Sequence, residues 1–117
     1  MRTITIINCD NGVTLAASVE VAETMGQRLK GLLGTDGLAC GRGLLLKPCN
    51  SVHTIGMRYA LDIVFLGDDF RVLKIVENLP PGRMTWCWRG KMALELPAGT
   101  VANTFTAAGH RLMEGQP

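Results

Sequence analysis

The sequence predicts a mostly β fold, a compact antiparallel barrel-like domain of about seven short strands with two short helices. Three observations carry this expectation. Apolar and polar residues alternate with period two in short runs such as TITIIN at 3–8 and VTLAASVEV at 13–21, the pattern of strands with one buried face. Turn sequences separate the runs: Asp10-Asn11-Gly12, Gly67-Asp68-Asp69 and Pro80-Pro81-Gly82,. The runs are also spaced too closely for helical crossovers, which favours antiparallel pairing in a curled sheet over a parallel α/β fold.

In chain order, 3–8 and 13–21 form a hairpin. The period then changes, with Met25, Leu29, Leu32 and Leu33 at i, i+4, i+7 and i+8 and Thr24 and Gln27 in capping-box positions. A short helix over about 24–33 follows, with Gly34 as its C-cap. Residues 35–43 carry three glycines and read as a loop, LLLK at 44–47 as a strand stopped by Pro48, and PCNSVHTIGM as a connection,. LDIVFL at 61–66 and FRVLKIVENL at 70–79 form the strongest hairpin,. RMTWCWRG at 83–90 alternates, with Trp86 and Trp88 on one face and Cys87 on the other, and is expected to pair with KMALELP at 91–97,. Thr100 caps a second helix running to about 107, with Val101 and Phe105 on one face, and HRLM at 110–113 closes the chain as a strand,.

Size and composition narrow the function classes. A chain of 117 residues fits one domain, 1–117,. Its 47% hydrophobic content against 19% charged residues supplies a core and argues against disorder,. Twelve basic and ten acidic residues are scattered without a basic stripe, so nucleic acid is not an expected partner,. The N-terminus lacks the pattern of a secretory signal and no run approaches a membrane span, so the expectation is a cytoplasmic protein with no membrane partner. Four cysteines, Cys9, Cys40, Cys49 and Cys87, show no CxxC spacing and are read as free thiols,.

RLKGLLG at 28–34, GLLLKPCNSVHTIGMRYALDIVFLG at 43–67, ALELPAG at 93–99 and the glycine of AAGHRL together resemble the DUF192 family over roughly residues 15–112. The resemblance lies in the order of its parts: an Arg/Gly/Leu helix, a Gly-Leu-Leu strand, a His-x-x-x-Met segment leading into Leu-Asp-hydrophobic-hydrophobic-Phe, and a Leu-Glu-x-x-x-Gly close. It implies a compact β-rich barrel-like fold and no particular activity. Where relatives carry an aromatic pair before the methionine, this chain has Thr54, Ile55 and Gly56.

The segment with the most chemistry is PCNSVHTIGM, which sets Cys49 and His53 four residues apart. Three uses are open to it. As metal ligands, Cys49 and His53 need Cys87, Asp62, Glu95 or His110 to complete a tetrahedron, and no second close pair announces one. As nucleophile and base, Cys49 and His53 need an orienting carboxylate from Asp62 or Glu95, but Cys49 opens no helix that would lower its pKa and no oxyanion hole is evident. As a groove, the segment combines with Met57, Arg58, Arg83, Trp86 and Glu95. Each residue also has a purely structural assignment, with Asp62 in particular accepting backbone N–H bonds at a strand end. The resulting expectation is a non-catalytic domain that binds a small ligand or a protein partner at a cleft beside 48–59. Its site residues are Cys49, His53, Met57, Arg58, Arg83, Trp86 and Glu95, with no catalytic residue, metal or cofactor. The alternative is a Cys/His enzyme or a metal-binding protein using Cys49 and His53. In the groove reading, His53 is partly solvent-reachable, with one ring nitrogen bonded to the protein and the other free for a ligand.

Overall fold

A computed structural model describes residues 1–116. The elements are β1 (Arg2–Asn8), β2 (Thr14–Ala22), α1 (Met25–Lys30), β3 (Arg42–Leu46), β4 (Ser51–His53), β5 (Leu61–Leu66), β6 (Val72–Leu79), β7 (Met84–Trp86), β8 (Met92–Pro97), α2 (Thr100–Asn103) and β9 (Leu112–Gly115). Seven strands form one sheet in the order β6-β5-β8-β3-β2-β1-β9, and β4 and β7 form a separate two-stranded ribbon. The sheet curls until its edges approach at one end, where Arg71 and Arg111 form an antiparallel bridge. Val72 N–H donates to the His110 carbonyl at 2.8 Å and Leu112 N–H to that of Phe70 at 2.9 Å. The mostly β, barrel-like fold expected from the alternation is the fold observed.

The two expected hairpins are present, β1 with β2 and β5 with β6. Three expectations about pairing need correction. β2 and β3 pair in parallel, with Val19 opposite Gly43 and Val21 opposite Leu45. The glycine-rich loop and α1 together span residues 23–41, long enough to return the chain for a parallel strand. β8 does not pair with β7, but lies between β5 and β3. Finally, 51–53 within the expected connection is itself a strand, and it is the partner of β7: Val52 is opposite Thr85 and His53 opposite Met84.

Both helices are shorter than expected. α1 has the Thr24/Gln27 capping box, but it ends at Lys30 with Gly31 as C-cap at φ 49°, three residues before Gly34. That φ lies in the region where a side chain is strained and glycine is not. α2 ends at Asn103, and its N-cap is Gly99, not Thr100. The chain then leaves the helix through Phe105, whose φ of 55° turns its ring into solvent instead of placing it beside buried Val101.

The central strands β3, β5 and β8 are buried on both faces, which explains why they read as continuous apolar runs,. On the inner face Leu45, Val64, Leu66, Met92, Leu94 and Leu96 pack with Ile4, Ile6, Val19 and Val21 of the first hairpin. On the outer face Leu44, Leu46, Leu61, Ile63, Phe65 and Ala93 form a second cluster with Val52 and Leu79, joined by the half-buried Leu32, Met57, Tyr59, Cys49 and Cys87. At Gly43 a Cβ would lie 3.0 Å from the Glu95 carbonyl and 3.0 Å from Leu96 Cδ2, so only glycine lets β3 run this close to β8,. The ribbon that covers the outer face is anchored by buried Thr54. Its hydroxyl donates to the Pro80 carbonyl at 2.6 Å and accepts from Arg83 N–H at 2.9 Å.

Candidate functional site

Glu95 is the anomaly of the outer face. It sits in β8 between Leu44 of β3 and Ile63 of β5, in the register of an apolar cluster. Only 6% of the residue is exposed, and burial alone pushes its carboxyl up to about 7. A carboxylate in an apolar layer needs donors or a cation. No N–H or O–H of the described residues donates to the Glu95 carboxyl, whose oxygens are not sealed in the interior but keep accessible surface on a cavity of about 290 Å³.

α1 and the segment from Pro48 to Met57 form the walls of this cavity, and Leu46 and Glu95 line its inner part. Met25 and Leu29 of α1 are 69% and 71% exposed, yet both line the cavity. The i, i+4 stripe predicted a helix correctly; its apolar residues rim an opening instead of packing into the core. Leu32, Leu33, Val52 and Met57 add apolar lining, and Arg28, Lys30, Ser51 and His53 add polar groups. Arg28 Nη1 donates to the Glu23 carbonyl at 2.8 Å and to that of Lys47 at 3.5 Å, holding the guanidinium against the helix start. A neighbouring depression under residues 31–44 has its acidic group already paired, Glu20 with Arg42 at 3.4 Å.

Of the seven expected site residues, Cys49, His53, Met57 and Glu95 line the cavity. Arg58, Arg83 and Trp86 do not. Arg58 pairs with Asp36 on the surface, and Arg83 contributes its backbone to the Thr54 anchor. Trp86 is 61% exposed on the ribbon, with Lys74 Nζ 5.9 Å from its ring centroid. Arg58 lies in the loop after β4, Arg83 just before β7 and Trp86 at the end of β7, and none of the three side chains lines the cavity. Arg28 also lines the cavity, as do Met25 and Leu29, whose amphipathic stripe normally reads as core.

The Cys49 thiol is pushed up by burial. Its Sγ donates to the Ser51 carbonyl at 3.0 Å, and the nearby Glu95 charge raises it further while Arg28 pulls the other way. A thiol held neutral is a poor nucleophile and a poor metal ligand. His53 is exposed, and neither ring nitrogen bonds to the described residues, so the bonded nitrogen expected from the sequence is not present. Among the described residues no three His, Cys, Asp or Glu side chains converge as a metal-ligating group. Asp62 has the structural role expected of it: fully buried, it accepts Asn78 N–H at 2.9 Å, Gly99 N–H at 3.2 Å and Val101 N–H at 2.9 Å. All four cysteines are free thiols. None of the described helices is long and apolar enough to cross a membrane.

The fold recurs in solved structures. A candidate transcription regulator from Sinorhizobium meliloti 1021 is similar with a TM-score of 0.83 and 26% identity, over 96% of this chain and 92% of that one. A protein of unknown function from Novosphingobium aromaticivorans DSM 12444 is similar in fold with a TM-score of 0.81 and 22% identity, over 95% of this chain and 83% of that one. No curated protein matches the chain significantly. The DUF192 family model, described as an uncharacterized ACR, matches residues 6–113. With that match over nearly the whole sequence, the chain belongs to the DUF192 family.

Proposed function

We propose that this chain is a non-catalytic binding domain for a small organic ligand, held in the cavity between α1 and residues 48–57. One observation carries the reading: the Glu95 carboxyl is buried, receives no donor from the described residues and opens onto that cavity. The carboxyl is the acidic group of a mostly apolar lining, and a concave apolar pocket with a few convergent polar groups is the usual form of a small-molecule site,. The exposed Met25 and Leu29 at the rim support the same reading, because apolar side chains facing a cleft gain burial when it fills,.

A thermal-shift screen of small organic molecules tests the proposal. At a ligand concentration of a hundred times Kd, a specific ligand stabilises the fold by about 2.7 kcal/mol. The shift should shrink in Glu95→Gln and in Leu29→Ser. A screen without hits, or hits unaffected by both substitutions, would count against the cavity as a site.

A protein partner is the second reading, favoured by Met84 and Trp86 of β7 and by Trp88 in the turn after it, the last 85% exposed. Tryptophan and methionine are enriched at protein interfaces. Nucleic acid and membrane have no place in the proposal. Three surface arginines pair with opposite charges, Arg2 with Glu23, Arg42 with Glu20 and Arg58 with Asp36, which supports leaving both out. The regulatory role suggested for the Sinorhizobium meliloti protein gains no support from the described helices, since α1 and α2 are six and four residues long,.

A further inference from the structure

We infer that the ligand of this cavity carries a protonated nitrogen that bonds to the Glu95 carboxylate, with an apolar body lying against Met25, Leu29 and Met57. The inference rests on the binding reading above and names the chemistry of its ligand. Its basis is the arrangement of charge and apolar surface in the cavity. Toward the inside, Glu95 is an acceptor set among apolar neighbours, with Leu44 and Ile63 beside it in the sheet and Leu46 in the same lining. Toward the opening, Met25 and Leu29 present exposed apolar surface.

Four titratable or charged groups line the cavity with Glu95. From the segment after β3 comes Cys49, whose hydrogen is committed to the Ser51 carbonyl. From β4 comes His53, at the exposed rim. From α1 come Arg28, held by the carbonyls of Glu23 and Lys47, and the exposed Lys30. None of them relieves Glu95, because burial is the whole cause of its raised pKa and no cation offsets it. A ligand cation would supply the partner that none of these side chains gives the ionised carboxyl. A protonated amine or amidine supplies both a positive charge and N–H donors, and charge-assisted hydrogen bonds of this kind are roughly twice as strong as neutral ones. A carboxylate ligand would instead meet a like charge at the same point, and a purely apolar one would leave the carboxyl unpartnered.

The test uses n-hexylamine, 1-hexanol and hexanoate as probes of equal length and different head group. Each is titrated at pH 8 into the full chain and into Glu95→Gln, with binding followed by the methyl NMR signals of Met25, Leu29 and Met57. The expected result is that hexylamine binds roughly ten-fold or more tightly than hexanol. Hexanoate should bind least, and the amine preference should collapse in Glu95→Gln while hexanol binding persists. Two results would overturn the inference alone: hexanol shifts the methyls with no preference for the amine, or the preference survives in Glu95→Gln. In either case the cavity still binds, and the broader reading stands. If no probe shifts these methyls in either protein, the binding reading falls and this inference falls with it. The methyl spectrum of free Glu95→Gln confirms that the variant is folded before any titration.

Discussion

Leu94 and Glu95 are neighbours in β8 and face opposite sides of the sheet. On the inner side Leu94 lies in a closed apolar cluster drawn from strands at both ends of the chain. On the outer side Glu95 lies in a second apolar cluster that α1 and the ribbon cover only in part, and its carboxyl faces the remaining gap. The inner face follows the usual rule for a core, with large side chains interdigitated and no polar group left over. The outer face keeps the same apolar frame and departs from the rule at one residue. A charge at a position that packing would fill with leucine lowers stability, which is the kind of local conflict expected where function and stability compete.

The sharpest contrast comes from substitutions on either side of β8. Leu94→Ala should cost about 2–5 kcal/mol, the range for emptying a closed core site, measured by urea unfolding. Asp62→Ala should cost about 2–3 kcal/mol, because three backbone N–H groups lose their acceptor; unchanged stability would show that water replaces the carboxylate there,. Glu95 should behave in the opposite sense. Between about pH 4.5 and about pH 7 the folded protein keeps a proton that the unfolded chain has lost. Stability therefore falls as pH rises through that window and levels off above it, by about 3 kcal/mol in all. Glu95→Gln should flatten that part of the profile, so a slope that survives the substitution would have to come from another group. The smallest effect on stability is expected at the rim: Leu29→Ser should change it by no more than about 0.5 kcal/mol, since the side chain is already exposed,. A large loss there would mean that α1 closes over Leu29 in solution.

Much of the inner face was legible in the sequence, and the outer face was legible only in pieces. Period-two alternation located the first hairpin, and apolar runs bounding the Gly67-Asp68-Asp69 turn located the second, because each of those strands has its partner close in the chain. The parallel β2–β3 pair and the position of β8 depend on contacts distant in sequence, which local pattern does not encode. In the site, Cys49, His53 and Glu95 drew attention as residue types that carry chemistry, and all three line the cavity. Arg58, Arg83 and Trp86 were of equally suggestive types, but nothing in their spacing says that they lie outside the cavity lining. Met25 and Leu29 were hidden for the reverse reason: an i, i+4 apolar pair looks the same whether its face is buried or borders a cavity.

The central claim is that Glu95 is a buried carboxyl without a protein partner, and its own titration tests this most directly. Following the Glu95 side-chain carboxyl carbon by ¹³C NMR in the ligand-free protein should give a midpoint of about 7, from burial alone,. That midpoint should fall when a protonated amine is bound. A midpoint in the ordinary carboxylate range in the free protein would show that water or a donor already satisfies the group, and the account of the cavity built on it would be wrong.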